Sequence, residues 1–398
     1  MISPLPNLVT PSLVAWARAE SGYSVDRVAK RLGVKPERVT AWESGERQPT
    51  FRQMEQLARF LHRPLGVFFL QRPPQITPLA AEYRRLPGVS PGHESPELRL
   101  ALRQMVTRRE NALNLLGELG EPVPELALRA TLHESPIDVG QRLREASGVS
   151  VETQLTWSNE WQAWSGWRWA FERLGLLVFQ FPKVAIAEAR GLALLRTPLP
   201  VVAINSKELP ETKAYTLFHE TVHLMLAAGH EEAPAIEERR SAAEWNDVER
   251  FAEIAASHAL VPDTSLRRQA ALAGIAAGTV GTSDIRKLAR RFRLTPLAMA
   301  TRLRESGFMT WSAYRTWRTE WVAYTKELKP RTSGFATPVE TAVSRAGRPF
   351  AQLVLEALSA NRLTAVDASR YLDLKFEHFE KLRAHLQDRP GGGAADVS

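Results

Sequence analysis

The sequence predicts a mostly helical α+β protein with an all-α N-terminal domain, a central domain containing a small β-sheet, and a helical C-terminal region. Three observations lead to this class. Residues 10–70 carry apolar side chains at helical spacing between tight turns. Short β-branched and aromatic runs at 176–182 and 200–206 are typical of strands. Beyond residue 265 the apolar residues return to helical spacing.

Composition indicates a folded chain with more than one core. Its 398 residues are 44% apolar and 24% charged, enough for two or three domains. The absence of cysteine excludes disulfides, thiolate metal sites and cysteine nucleophiles, so a transition metal would need His and carboxylate ligands. No stretch approaches the roughly 18 apolar residues of a membrane span, and the first residues lack a signal-peptide pattern. We therefore expect a cytoplasmic protein without a membrane partner.

The N-terminal domain, residues 1–72, is predicted to consist of short helices. Apolar residues share one helical face in 12–20, in SVDRVAKRL and in TFRQMEQLARFL, and HRPLGVFFL supplies a last short helix. Residues suited to helix ends bound the helices: Ser24, Gly33, Pro36, Gly45 and Thr50. Two short helices joined by a glycine turn indicate helix-turn-helix DNA binding.

Charge supports a nucleic-acid partner for this domain. Residues 1–75 hold eleven Lys/Arg and six Asp/Glu, a net +5 of the chain's +8. The run SVDRVAKRLGVKPERVTAWESGERQPT resembles the Cro/CI (XRE) pattern, including the Trp-Glu-x-Gly-x-x-x-Pro that closes the second helix. The alternative is a helical protein-interaction domain without a DNA role. The same small fold pairs with copies of itself, so a homodimer is a second expected assembly.

Side chains near the start of the second helix are the candidates for double-stranded DNA contacts. Four are expected to reach base edges: Lys35, Arg38, Thr40 and Ala41. Two are expected nearer phosphates: Ser44 and Arg47. Val39 and Trp42 are expected to face the core.

Residues 73–96 are rich in Pro and Gly without any periodic pattern and are predicted to form a linker. A helical connector, residues 97–155, follows and begins with a long helix from Glu97 to Leu119. Three tryptophans spaced four and three apart then predict an aromatic core face, with ligand stacking as the alternative: Trp157, Trp161 and Trp164.

The central domain, residues 156–265, is predicted to combine strands with a helix carrying HETVH. The runs LLVFQFP and PVVAINS are bounded by Gly, Pro and Asn, and RGLALL adds a third strand between them. This order of elements gives a mixed α+β domain.

Residues 266–388 are predicted to form helix pairs, and residues 389–398 a disordered tail. The pairs lie in SDIRKLARRFRLTPLAMATRLRESG and LTAVDASRYLDLKFEHFEKLRAHL. We expect them to pack beside the central domain and shape a groove for a partner's extended segment, by strand addition along PVVAINS. The basic residues of the first pair are expected to be a solvated face, with a second DNA contact as the alternative.

The central motif, residues 216–226, reads TLFHETVHLML. On a helix, His219 and His223 lie on one face and can bind one ion, while Glu220 reaches the ion's open side. Two imidazoles and a third ligand leave a position for a water whose pKa zinc lowers to about 7. Glu220 then accepts the water's proton during attack on a peptide carbonyl.

Chance does not account well for this motif. With 9 His and 44 acidic residues, about 0.02 accidental matches are expected in a chain of this length. Core-type residues surround the motif, and burying its polar groups without partners is costly, so a metal is the natural partner. Residue physics leaves the third ligand open among four carboxylates: Glu244, Asp247, Glu249 and Glu253. His230 and His258 are rival ligands.

The chain resembles the ImmA/IrrE group of bacterial and phage metallopeptidases that carry an N-terminal XRE helix-turn-helix domain. In that family a Pro-Val-x-x-x-Asn strand precedes the HExxH helix, as PVVAIN does at 200–205. Downstream the family shows Glu-x-x-Ala-Asx/Glu and Leu-x-Pro runs, matched here by ERFAE at 249–253 and LVP at 260–262. The chain departs in having Thr-Val before the second motif histidine and His-Ala before LVP.

This resemblance implies a zincin-like central domain with a gluzincin-like HExxH…E site. It makes Glu249 the third ligand of a Zn²⁺ held with His219 and His223, and Glu220 the general base. The implied function is a DNA-binding metallo-endopeptidase that regulates transcription by cleaving a helix-turn-helix repressor or antitoxin. The alternative is a non-proteolytic DNA-binding regulator or antitoxin whose peptidase-like domain binds a partner or toxin.

Overall fold

The structure, a computed structural model, describes residues 8–84, 86–326 and 336–387. Contacts between residues divide the chain into two units. The N-terminal unit comprises 1–81 and 85–104, and the larger unit comprises 82–84 and 105–398. The tail expected at 389–398 lies outside the described residues.

Helices dominate the N-terminal unit. The helices are α1 Pro11–Glu20, α2 Val25–Leu32, α3 Pro36–Ser44, α4 Phe51–Leu61 and the first part of α5 Pro96–Leu119. Gly33 and Gly45 end α2 and α3 at φ 66° and 84°, where glycine is favoured. Thr50 and Gln53 form a capping box at the start of α4. The predicted helix pair around a glycine turn is confirmed.

The larger unit is a helical body around a three-stranded sheet. Its strands are β1 Leu177–Phe181, β2 Gly191–Leu194 and β3 Val201–Asn205. Its first helices are α6 Pro136–Ser147, α7 Val151–Thr156, α8 Glu160–Arg173, α9 Pro210–Ala228 and α10 Ala242–Leu260. The later helices are α11 Asp263–Leu272, α12 Thr282–Phe292, α13 Pro296–Glu305, α14 Trp311–Lys326, α15 Pro338–Ala346, α16 Arg348–Ser359, α17 Ala365–Leu372 and α18 Phe379–Gln387. The mostly helical α+β class is confirmed.

The sheet has the order β1-β3-β2. Strand β3 pairs in parallel with β1 and antiparallel with β2, so Val202 lies opposite Val178 on one side and Ala193 on the other. Every residue of the three strands is buried. The expected strand addition along PVVAINS is therefore wrong, because both edges of β3 are already hydrogen-bonded within the sheet.

Residues 82–84, here called the inner segment, pair with the outer edge of β2. Tyr83 forms an antiparallel bridge with Leu194, and Arg84 forms one with Pro234 on the opposite side. These residues fall within the predicted linker at 73–96, which is rich in Pro and Gly. Local composition cannot reveal a three-residue pairing with a sheet more than 100 positions away in sequence.

The tryptophan stripe is only partly a core face. Trp157 and Trp164 are buried, but Trp161 is 55% exposed, which corrects the sequence prediction for that residue. Helix α8 begins at Glu160, after Trp157, so helical spacing does not apply across all three. Trp167, one turn after Trp164, takes the buried position instead.

The C-terminal helices pack on the sheet side of the larger unit. Helix α15 contacts β1, and α16 contacts α8. Phe350 packs edge-on against Phe179 with ring centroids 6.0 Å apart, and Arg168 Nη1 donates to the carbonyl of Ser344. Of the two predicted pairs, α12–α13 packs beside the central domain as expected, through contacts of α13 with α10. The second pair, α17–α18, packs against α15 and α16. Among the described residues, none of the helices has the length and apolar character needed to cross a membrane.

Candidate metal centre and DNA-binding helix

Helix α9 carries both histidines of the motif. It begins at Pro210, a residue suited to a first helical turn, and its buried apolar side chains, such as Phe218 and Val222, anchor it in the core. His219 and His223 lie one turn apart, so both rings project from the same side. His223 is fully buried, and the side chain of His219 is 12% exposed.

Three side chains meet at one point. His219 Nε2 lies 3.1 Å from His223 Nε2, and the Glu249 carboxylate lies 3.3 Å from the first and 3.5 Å from the second. Glu249 comes from α10, which packs against α9. Among the described residues, this trio is the group whose ligand atoms approach closely enough to hold a metal ion.

The rival ligands from the sequence lie elsewhere. Glu244 closes a capping box with Ser241 at the start of α10, and Asp247 and Glu253 are exposed on the same helix. His230 is exposed after the end of α9. His258 Nδ1 lies 3.1 Å from Arg302 Nη2 and accepts a hydrogen bond from this buried guanidinium. The geometry leaves Glu249 as the carboxylate beside both histidines.

Glu232 is a functional candidate that sequence reasoning missed. Its Oε2 lies 2.7 Å from His223 Nδ1, and its side chain is buried. When His223 Nδ1 is protonated, it donates a hydrogen bond to Glu232. His223 Nε2 then presents its lone pair toward His219 and Glu249. The only sequence signal was a carboxylate just after the turn that ends α9, and Glu231 shares that signal.

Arg84 of the inner segment enters the same site. Its Nε and Nη2 donate to the two oxygens of Glu220 at 3.0 and 3.1 Å, and its Nη1 donates to Glu249 Oε1 at 2.7 Å. The arginine side chain is 2% exposed. A buried charge of this kind is stable only when it is paired, and here two carboxylates pair with it. The sequence contained no pattern that would single out Arg84.

Burial and Arg84 together set the protonation of the site. Burial lowers the pKa of His223 well below its ordinary value, with Arg84 acting in the same direction. Burial raises the pKa of Glu232 to about 8. Burial would also raise the pKa of Glu220 and of Glu249, but the charge of Arg84 outweighs it, so both pKa values fall below the ordinary glutamate value.

The donor set fits a zinc ion. Two imidazole nitrogens and a carboxylate are the ligands of open catalytic zinc sites, and these side chains already converge without any distant ligand having to move in. The two Nε2 atoms face each other at 3.1 Å, and no residue in the described part of the chain pairs with His219 Nδ1. A cation between the rings would satisfy both lone pairs.

Helix α3 presents most of the proposed DNA contacts to solvent. Five of the six candidates are exposed: Lys35, Arg38, Thr40, Ser44 and Arg47. The sixth, Ala41, is 7% exposed, so it has little surface to offer a base and we withdraw it from the candidates. Val39 and Trp42 are buried in the core of the N-terminal unit, as predicted.

Two family models match these two regions. Residues 14–68 match the helix-turn-helix model. Residues 171–304 match the model of the IrrE N-terminal-like domain, which describes a peptidase family. The chain is thus similar to both families over these residues. This is the XRE and ImmA/IrrE architecture that the motifs indicated. No curated protein matches the chain.

The IrrE-like domain includes the whole candidate metal centre except the inner segment. The match contains the motif helix, Glu232 and Glu249. It extends past residue 265, the predicted end of the central domain, and covers α11, α12 and all but the last residue of α13. The helix-turn-helix domain includes α2 and α3 with the exposed basic residues.

Proposed function

We propose that this protein is a DNA-binding, zinc-dependent endopeptidase that regulates transcription by cleaving an extended segment of a protein partner. The observation that carries the proposal is the convergence of His219, His223 and Glu249, with Glu220 one residue from the first ligand. A helix-turn-helix repressor or antitoxin is the partner class that fits a peptidase joined to a DNA-binding domain.

Each residue of the centre has a separate task in this proposal. His219, His223 and Glu249 hold the zinc ion, and Glu232 orients His223 through Nδ1. When bound, zinc supplies a Lewis acid that acidifies water and polarises the scissile carbonyl. Glu220 accepts the proton of the attacking water and returns it to the leaving nitrogen. This last task requires that Glu220 be released from Arg84.

A second candidate function is partner binding without turnover. One observation favours it, because both oxygens of Glu220 are engaged by Arg84. In that case the domain would dock a repressor or toxin and the metal would only stabilise the fold. The two functions differ in the role of Glu220, which is required for cleavage in the first and serves only in the ion pair with Arg84 in the second.

The first test is zinc content per chain. We expect about one zinc in the wild-type protein and a large loss in Glu249→Gln, since three protein ligands define the site. Asp247→Asn is the matched control, because it removes an exposed carboxylate from the same helix and should retain zinc. Full zinc occupancy in Glu249→Gln, measured by elemental analysis, would exclude Glu249 as a ligand.

The second test separates the two functions. Glu220→Gln should keep zinc but lose cleavage of a verified substrate by about 10²-fold or more, because it removes the proton acceptor. Substrates should be sought among repressors and antitoxins by mass spectrometry of cleavage products. An unchanged rate in Glu220→Gln would rule out the general-base role, and loss of zinc would show that Glu220 is a ligand.

A further inference from the structure

The outer edge of β2 is the place where an extended peptide would join this sheet. An edge strand offers a row of backbone N–H and C=O groups that another chain can pair with. In this protein the inner segment fills that edge. Arg84 N donates to the carbonyl of Ala193 at 3.2 Å, and Leu195 N donates to the carbonyl of Glu82 at 3.1 Å.

The inner segment is also held from its other side. Ala235 N donates to the carbonyl of Tyr83 at 2.8 Å, and Arg84 forms an antiparallel β-bridge with Pro234. The ring of Tyr83 is 1% exposed, and Glu82 pairs with Arg196. Residues 82–84 are thus built into the edge of the sheet like an internal strand, with backbone pairing on both sides.

Backbone pairing places the Arg84 side chain beside the catalytic groups. Both oxygens of Glu220 accept from its guanidinium, so the proposed base is held in a charge-assisted pair. The third bond, to Glu249, brings the same side chain against a proposed zinc ligand. Arg84 therefore binds the proposed base and a proposed ligand at the same time.

We propose that residues 82–84 are an internal inhibitor of the candidate metal centre, occupying the position of an extended substrate on β2 and holding Glu220 through Arg84. The centre becomes accessible when this segment leaves the edge of β2. The competing occupant is an extended segment of another protein that pairs antiparallel with β2. This inference rests on the proposed peptidase function, because it assigns the edge of β2 to substrate.

The first experiment measures access to the β2 edge directly. The probe is a fluorescein-labelled peptide with the sequence of residues 78–88, PLAAEYRRLPG, titrated against the full chain and followed by anisotropy. We expect Arg84→Gln to bind this peptide at least about tenfold more tightly than wild type. Loss of the buried ion pairs weakens the attachment of the inner segment, residues 82–84, to the edge of β2. Arg362→Gln, the same change at an exposed arginine, should bind like wild type. Equal affinity in all three proteins would overturn the proposal.

The second experiment locks the segment and does not depend on Arg84. Tyr83 and Leu194 are a non-hydrogen-bonded antiparallel pair, whose Cα atoms are about 4.5 Å apart in such ladders and therefore within disulfide range. The chain has no cysteine, so a Tyr83→Cys/Leu194→Cys variant can form only this disulfide within one chain. Oxidised protein should exclude the peptide, and protein reduced with a phosphine should admit it. Equal binding by both forms would contradict the proposal.

Peptide binding tests the inhibitor role of residues 82–84, and peptide cleavage tests the peptidase function. The anisotropy measurement needs no turnover, so the inhibitor proposal can stand or fall on binding alone. If the peptide enters Arg84→Gln but no variant cleaves any substrate, the peptidase function fails while the segment remains a displaceable strand. If Glu220-dependent cleavage occurs equally in oxidised and reduced lock variants, the peptidase function stands and the inhibitor fails.

Discussion

At the scale of single residues, buried arginines determine what neighbouring groups can do. Arg84 pairs with Glu220 and Glu249, so the proposed base and a proposed ligand share one cation. Arg302 is 1% exposed and donates to the carbonyl of Val261, while its Nη2 faces His258 Nδ1 at 3.1 Å. A guanidinium cannot give up its proton, so His258 must remain the neutral acceptor.

This arrangement predicts a pH dependence of stability. Burial, followed by the charge of Arg302, lowers the pKa of His258 to about 4. Between about pH 6.5 and pH 4 the unfolded chain binds the extra proton, so the free energy of unfolding falls as the pH falls. Because His258 is partly exposed, we expect a loss of about 1–2 kcal/mol.

Urea unfolding at pH 7 and pH 4.5 checks this prediction. His258→Asn keeps a neutral acceptor for Arg302 and removes the titration, so its free energy of unfolding should fall less than that of wild type between these two pH values. An identical loss in both proteins would show that His258 is protonated in the folded state near its ordinary pKa.

At the scale of elements, close helix packing positions Glu249, the proposed third ligand, on α10. A Cβ added at Gly140 of α6 would lie 2.3 Å from the carbonyl oxygen of Ala255 on α10, so glycine is needed for the two backbones to approach. Glu249 lies on α10 less than two turns before Ala255. The packing of α6 against α10 therefore helps to set where the Glu249 carboxylate lies relative to α9.

We expect Gly140→Ala to lower the free energy of unfolding by about 1–3 kcal/mol and to weaken zinc retention, because α10 must shift away. The matched control is Gly117→Ala in α5, where a new Cβ meets nothing within 4 Å. That change should be neutral or stabilise by up to about 1 kcal/mol, since alanine favours helix. Urea midpoints measure both effects, and equal midpoints for the two variants would contradict the packing argument.

At the scale of the whole molecule, the C-terminal helices complete the core of the larger unit. Arg168 of α8 donates to Val178 of β1 and to Ser344 of α15, so one side chain ties strand, helix and C-terminal region together. Phe350 is fully buried against Phe179. Removing everything after residue 305 would therefore uncover this face of the sheet.

A point substitution tests this structural role more cleanly. Phe350→Ala should lower the free energy of unfolding by about 3–5 kcal/mol, the usual loss for a buried aromatic side chain. Phe376→Ala removes a ring that is 58% exposed and should cost less than about 1 kcal/mol. Chemical denaturation of the full chain measures both variants, and similar losses would mean that the C-terminal helices are not part of the core.

DNA binding is also tested at the scale of the whole molecule, with the full chain of 398 residues. We expect affinity for duplex DNA to fall steeply as salt rises, because Lys and Arg contacts release counterions. Arg47→Ala should weaken all sequences alike and reduce the salt slope by about one, and Arg38→Ala should relax sequence preference. Arg362→Ala is the charge-matched control. A folded protein that shows no binding at low salt would favour the protein-interaction alternative.

The sequence by itself predicted many of the elements and most of the candidate metal trio, His219, His223 and Glu249. Periodicity and end signals predicted α2, α3 and the strands, because a helix cap or an apolar run acts through neighbouring residues. The HExxH spacing placed His219 and His223 on one face, because four residues make about one helical turn. Residue physics alone left Glu249 among several carboxylates, and resemblance to a family selected it.

Only the tertiary structure decided what surrounds that trio. Glu232 and Arg84 reach the centre from loops and a non-periodic segment, where no local rule fixes the direction of a side chain. The strand order likewise made β3 central and left the edge of β2 to the inner segment, because pairing depends on contacts between residues far apart in sequence. Local patterns specify elements, whereas buried charge pairs and strand edges are specified by packing of the entire chain.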